Sequence, residues 1–336
     1  MNSPQAALTP VAASESHAEL ATSSGIDAIK ALAIVLVILG HTQLPLWTSK
    51  LIYLFHVPVF FFASGLVART LGRGYTSSRQ VKRLLGVFVI FTLLGAVVTR
   101  VKLEVLGRDI VSLTALLRDS FVWGNIQHLE HYGQVLWFIP SLLGSLAALE
   151  FARRRRSTPL AIGIASSLWL GCLALTWFGD IAYIPYSLNT LLVAIPFVAL
   201  GYHADLLRRM SLPVLGSVVA GCLIYGALFW SSIRLDVAFF NLEMLAALPV
   251  TFALVVIAFF ALGRIKDCGK GIRFIGRNSL PIFILHGYTN NIFSLIYPNP
   301  MFVAAASLGS WVSILWILSA IGIRDLGLLK IYSDEA

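Results

Sequence analysis

Asp27-Ala-Ile-Lys30-Ala-Leu-Ala-Ile-Val-Leu-Val-Ile-Leu-Gly40-His41-Thr42 is an apolar run with charges near its start and a histidine at its end. On a helix, Lys30 and His41 are about 1100° apart, within about 20° of one face, and separated by about 16 Å along the axis. Asp27 falls about 40° from His41 on the same wheel. An ionisable group at the centre of a bilayer costs roughly 2.5–3.5 kcal/mol on insertion scales, so such groups face a cavity or a partner. Taken alone, Asp27 and Lys30 also fit a snorkelling pair at a helix start, and His41 a helix-end cap.

The rest of the chain has the same character. Of 336 residues, 58% are hydrophobic and 12% charged, and the mean hydropathy is +0.83. No water-exposed globule has that balance. Apolar runs of roughly 17–25 residues, enough to cross a bilayer, recur to the end of the chain. Ten are placed, at about 28–46, 51–68, 82–99, 135–151, 159–178, 183–202, 212–230, 244–262, 280–297 and 301–321. The expected fold is therefore all-α, a polytopic integral membrane bundle of about ten transmembrane helices. Residues 1–25, rich in Ala, Ser and Thr and without Lys or Arg, read as a disordered cytoplasmic tail rather than a secretory signal. Residues 326–336 form a second cytoplasmic tail, and the spans lie between the two.

The net charge of +9 is explained by orientation. With ten spans, 19 of the 25 Lys and Arg lie on the side of the two termini and 6 on the other. The positive-inside rule then places both termini in the cytoplasm, and nucleic acid is not an expected partner. Cys172, Cys222 and Cys268 have no metal-ligand or redox spacing, so neither a disulfide nor zinc is expected.

Four segments in register carry a resemblance. They are Asp27-x-x-Lys30-x10-His41; Phe55-His56-Val57-Pro58-Val59-Phe60-Phe61-Phe62-Ala63-Ser64-Gly65; Leu136-Trp137-Phe138-Ile139-Pro140; and Gly276-Arg277-Asn278-Ser279-Leu280-Pro281-Ile282-Phe283-Ile284-Leu285-His286. Together they resemble acyltransferase family 3, the integral-membrane acyltransferases that O-acetylate cell-surface glycans, over roughly residues 25–325; the domain is taken as 26–325. More narrowly the chain is similar to the fucose 4-O-acetylase-like branch, in which Lys, here Lys30, often replaces the family's Arg.

The resemblance implies an inner-membrane O-acetyltransferase with acetyl-CoA as donor substrate and no permanently bound cofactor. Its partners would be a glycan or lipid-linked sugar acceptor, the lipid bilayer and glycan assembly machinery. Transfer to a hydroxyl needs a base, a site for the oxyanion and a grip on the thioester. His41 suits the base, since imidazole titrates near neutral pH, and the resemblance implies the same role; direct transfer and an acetyl group carried on His41 itself both fit the sequence. Lys30 and Asp27 are candidates to stabilise charge or orient one another. Arg79-Gln-Val-Lys82-Arg83 resembles the family's Arg-x-x-x-Arg motif and is the candidate for the donor phosphates, with Arg79 and Arg83 on one helical face. His56, His128, His131 and Trp137 are candidates for the acceptor side. Those histidines lack the spacing of a metal site, so no metal is expected. His286, alone in mid-span, reads as an interhelical contact.

A secondary transporter or flippase for a glycan precursor is the competing reading, since it too would carry a polar stripe. It predicts internal repeats and paired broken helices, and the chain has no convincing repeat. Reporter fusions after Arg83, Arg156 and Ala336 are expected to behave as cytoplasmic, and fusions near Lys50 or Arg118 as external; an external C-terminus overturns the ten-span arrangement.

Overall fold

The computed structural model describes residues 21–70, 78–105, 107, 112–118, 136–155, 190–231 and 242–320. Among these residues the elements are all helices: α1 (Ser23–Gly40), α2 (Leu46–Thr70), α3 (Ser78–Val105), α4 (Leu113–Arg118), α5 (Phe138–Arg155), α6 (Leu191–Tyr202), α7 (Ala204–Arg209), α8 (Leu212–Leu228), α9 (Leu242–Leu262), α10 (Gly269–Arg277), α11 (Ser279–Ile296) and α12 (Pro300–Ala320). Four of them are long and apolar enough to cross a membrane, at Ser23–Gly40, Leu46–Thr70, Val81–Val105 and Pro300–Ala320. Helices also occupy the expected spans at 135–151, 212–230, 244–262 and 280–297, and the second part of 183–202. The span at 159–178 lies outside the described residues.

α1 is the centre of the bundle, in contact with α2, α9, α10, α11 and α12. Its apolar residues run nearly all round, as a helix enclosed by others requires; Ile29, Ala33, Ile34 and Val37 are fully buried. The peripheral helices differ. Leu85, Ile90, Val97 and Val101 of α3 and Leu212, Ile224 and Leu228 of α8 are exposed. Trp316 and Ile317 of α12 are exposed too. Apolar surface on that scale is untenable in water and natural against acyl chains.

The chain enters α1 inside the stretch read as tail. Thr22 is the N-cap, its hydroxyl accepting from the Gly25 amide at 2.9 Å, and its own amide donates to the Gly263 carbonyl at 3.0 Å. Its hydroxyl also donates to the Ile265 carbonyl. A polar cap tied to the end of α9 thus starts the central helix, which composition alone conceals. Residues 1–20 lie outside the described residues.

Glycines set the closest crossings. A Cβ on Gly65 of α2 would fall on the Val198 carbonyl oxygen of α6, and one on Gly201 of α6 on the Phe62 carbonyl oxygen of α2. The two backbones touch, as small residues allow in membrane helices. A Cβ on Gly276 would likewise strike the Asp27 carbonyl, so α10 lies directly against α1. Gly65→Val is expected to destabilise the bundle by about 1–3 kcal/mol or more, lowering the melting midpoint of detergent-purified protein. Gly216→Ala on α8, where an added Cβ meets nothing within 4 Å, should leave the midpoint unchanged.

Candidate active site

Three stripes converge around the central helix. On α1, Asp27, Lys30 and His41 share a face, as their spacing predicts. On α2, Tyr53, His56, Phe60, Ser64 and Val67 recur every three or four residues, and on α11, Ser279, Phe283, His286 and Asn290 do the same. Helices α2 and α11 both pack on α1. Their stripes build two chemically different ends.

At the N-terminal end of α1, the buried Asp27 carboxylate is shared. Lys30 Nζ lies 3.3 Å from Oδ1, and Arg277 Nε donates to Oδ2 at 3.2 Å. Two basic side chains thus share this one carboxylate. Lys30 and Arg277, with Ser64 and Ser279, line a cleft with about 570 Å³ of atom-free space, counting its mouth. Its remaining wall is apolar and includes Phe60, Phe138 and Phe283. The Arg277 side chain is 50% exposed and Lys30 only 11%, so the guanidinium stands at the mouth and the ammonium within. In the sequence Arg277 stands out only as part of the Gly276–His286 segment that carries the resemblance. Gly276 makes it a site residue by letting α10 lie on α1.

At the other end, three imidazoles gather. His41 caps α1, its ring centroid 4.9 Å from that of His286 and 6.3 Å from that of His56. Tyr53 lies beside both His56 and His41, at 5.0 and 6.0 Å. Each histidine has Nδ1 on a carbonyl of its own helix: His41 on Val37 at 2.8 Å, His56 on Ile52 at 2.7 Å and His286 on Phe283 at 2.6 Å. A carbonyl can only accept, so Nδ1 carries the proton in all three and Nε2 keeps a lone pair. His56 and His286 are buried while His41 is exposed, so the cluster opens to the surface through His41.

Asn290 ties α11 to this end. Its amide nitrogen donates to the carbonyls of Ile38 at 3.1 Å and His41 at 3.4 Å. Below it, Trp311 of α12 donates to the Thr289 hydroxyl at 3.0 Å, which itself donates to the His286 carbonyl at 3.0 Å. Among the described residues, His286 Nε2 and Asn290 Oδ1 are buried acceptors with no hydrogen-bond donor. Leaving such groups unmatched costs about 1–3 kcal/mol each, a cost tolerated most readily where a donor group binds.

The structure thus brings Asp27, Lys30, His41 and His56 to one bundle interior and adds Arg277, His286, Tyr53 and Asn290. His286, expected as an interhelical contact, makes one with the His41 ring of α1. Its signal was the four-, seven- and eleven-residue spacing from Ser279, hidden because the residues between are as apolar as those of any span. Trp137 is buried edge-on against Phe138, at 6.2 Å between ring centroids, and backs the cleft wall. Arg79 lies in the first turn of α3 and its side chain is outside the described atoms; Lys82 is exposed and Arg83 half-buried. Neither Lys82 nor Arg83 is among the described residues that line the cleft. His128 and His131 lie outside the described residues.

Removing the shared carboxylate should be severe. Asp27→Leu leaves Lys30 and Arg277 without it, and breaking a buried pair costs about 3–5 kcal/mol, so the protein should accumulate poorly in membranes. Arg277→Leu should cost less, since its side chain is half exposed. Adding Lys30→Met to Asp27→Leu should recover part of the lost abundance, because the buried charge goes with its partner.

Neither curated proteins nor solved structures match the chain. The model of acyltransferase family 3, described as an acyltransferase domain, matches residues 23–323. That range begins with the first residue of α1, ends just beyond α12 and takes in every residue of both ends of the site. The chain belongs to acyltransferase family 3 and is a membrane acyltransferase.

Proposed function

We propose that the protein is an acetyl-CoA-dependent O-acetyltransferase of the fucose 4-O-acetylase-like branch, acting on a sugar hydroxyl of a cell-surface or secreted glycan. It lies in the inner membrane with about ten spans and both termini cytoplasmic. The observation that carries this reading is the arrangement of the two ends: a cleft lined by Lys30 and Arg277, and His41, its Nδ1 held by the Val37 carbonyl, at the far end of the helix that carries Lys30. Acetyl-CoA is made in the cytoplasm and its phosphates seek cations, whereas the acceptor glycan is presented on the opposite side.

Arg277 at the cleft mouth is a donor-phosphate ligand in this reading, beside the Arg79, Lys82 and Arg83 segment. Lys30, deeper, faces the more distal part of the donor. Asp27 is shared between these two basic side chains. Nearby α10 adds Arg273, held by the Ser24 hydroxyl at 3.2 Å and Asp267 at 2.9 Å. The pantetheine arm then runs along the bundle axis toward the histidines.

At the far end the acceptor hydroxyl donates to His41 Nε2. As its oxygen attacks the thioester carbonyl carbon, the proton passes to Nε2. The tetrahedral intermediate collapses with breakage of the carbon–sulfur bond, and the imidazolium returns the proton to the departing thiolate, giving the acetyl ester and free CoA thiol. The Val37 carbonyl holds Nδ1–H through the cycle, stabilises the imidazolium and fixes the ring. His56 and Tyr53 border the acceptor, whose further hydroxyls can donate to the open acceptors on His286 and Asn290.

His41→Ala should leave the protein in the membrane at near-normal abundance, since the residue is an exposed cap, and lower acetyl transfer by about 10²–10⁴-fold. Acetyl content of the glycan is read by mass spectrometry beside the total amount exported. If His41→Ala stops export but leaves exported chains normally acetylated, the protein is a transporter or flippase instead.

A further inference from the structure

Where α6 gives way to α8 the chain forms the short helix α7, and arginines from three parts of the sequence gather around it. Arg208 of α7 lies over the Phe259 ring of α9, its guanidinium carbon 5.0 Å from the ring centroid. Burial, and with it the charge of Arg264 just past the end of α9, holds Arg208 below the usual guanidinium range. From α2, Arg69 lies 3.5 Å from one oxygen of Asp205 and 5.5 Å over the Tyr202 ring. Arg209 lies 3.4 Å from the other oxygen. The carboxylate of α7 thus already serves two guanidinium groups, and Arg208 and Arg264 add two more. Guanidinium groups within reach of each other's charge are stabilised by an anion placed between them. The surface beside them is apolar. Leu206 of α7 is 56% exposed, and Leu212 and Val214 at the start of α8 are exposed as well. Only residues 203–211 join α6 to α8, so α7 lies at the level where these two expected spans leave the bilayer. A ligand bound here meets cations on one side and aliphatic side chains on the other. A dissolved ion uses the first alone, whereas a phospholipid uses both.

We propose that Arg208 and Arg264, with Arg69 beside them, form a binding site for an acidic phospholipid, its phosphate held by the guanidinium groups and its acyl chains lying along Leu206, Leu212 and Val214. Basic pockets between helix ends recognise anionic headgroups in this way. Arginine suits a phosphate better than lysine, because its planar fork donates twice. A basic loop left in solvent orients a chain without holding a lipid; here Phe259 and Tyr202 place two of the guanidinium groups. The lipid bridges α7 to the end of α9. That end also carries the Gly263 and Ile265 carbonyls that receive Thr22, so a bound lipid reinforces the point where α1 starts. The site stands apart from acyl transfer and does not rest on it.

The test uses the full-length chain purified in a neutral detergent, with phosphatidylglycerol or phosphatidylcholine of the same acyl chains added to the micelles. Retained lipid is counted by native mass spectrometry, and the melting midpoint is followed by intrinsic fluorescence. The unmodified protein should retain phosphatidylglycerol in preference and melt several degrees higher with it than with phosphatidylcholine. In Arg208→Gln with Arg264→Gln, the apparent affinity for phosphatidylglycerol should fall about tenfold or more, and the difference in midpoint between the two lipids should vanish. Arg264→Gln alone, at an exposed position, folds more readily and should weaken retention in the same direction. Lys266→Gln with Lys270→Gln removes two exposed charges from the same end of the bundle and should keep the full difference. An equal loss in that lysine variant overturns the site, since any surface charge then serves. Equal stabilisation by glycerol 3-phosphate, a headgroup without chains, overturns the lipid in favour of a dissolved anion. An unmodified protein that shows no preference between the two lipids, or a double arginine variant that keeps the preference, overturns the proposal outright.

Discussion

A carboxylate inside a bilayer-spanning helix cannot stand alone, and the manner in which Asp27 is paired organises the rest of the site. Lys30 pairs with it from one turn on in the same helix, and Arg277 reaches it from the other end of the chain. That second contact exists because Gly276 has no side chain to hold α10 off the Asp27 carbonyl. Docking α10 at this point also decides where α11 begins, since only Asn278 lies between them. From there the helical repeat carries Phe283, His286 and Asn290 along α1 to meet His41. One buried ion pair at one end thereby positions the imidazole cluster at the other.

The same arrangement separates two incompatible environments. Phosphates call for cations and water, whereas a base that removes a hydroxyl proton works best neutral, with its tautomer set. In the proposed reading Lys30 and Arg277 would serve the first need at the cleft, and the Val37 carbonyl the second by holding His41 Nδ1–H. About 16 Å of helix lies between Lys30 and His41, which in the proposed reading would let one helix face a donor from one side and an acceptor from the other. The Phe60, Phe138 and Phe283 rings line the cleft. The ammonium of Lys30 and the guanidinium of Arg277 both line this cleft, so its basic groups come from two helices.

The apolar runs and the α1 stripe were legible in the sequence because both follow from local period: twenty apolar residues, or an eleven-residue interval, mean the same wherever the helix sits. Asp27, Lys30 and His41 could be placed on one face on that basis, and the four motifs indicated acyltransferase family 3, which the match over residues 23–323 shows. The start of α1 was less legible, because Thr22 caps it through Gly263 and Ile265, more than two hundred residues away. What His286 and Arg277 face was hidden for a related reason. A histidine among apolar residues, or an arginine in a basic loop, has no local mark of what it will face.

By itself, then, the sequence determined that this is a helical membrane protein, its family, and the face of α1 that carries Asp27, Lys30 and His41, since these depend on composition and on periodicity within one helix. Only the tertiary structure decided that Arg277 completes the Asp27 pair, that His286 and Asn290 meet His41, and that three phenylalanines from three helices line the cleft. Those contacts depend on how α2, α5, α10 and α11 are rotated and how closely they approach α1. Rotation and approach are set by backbone contact at Gly65, Gly201 and Gly276 and by buried pairing across helices, and neither is encoded in the period of any single segment.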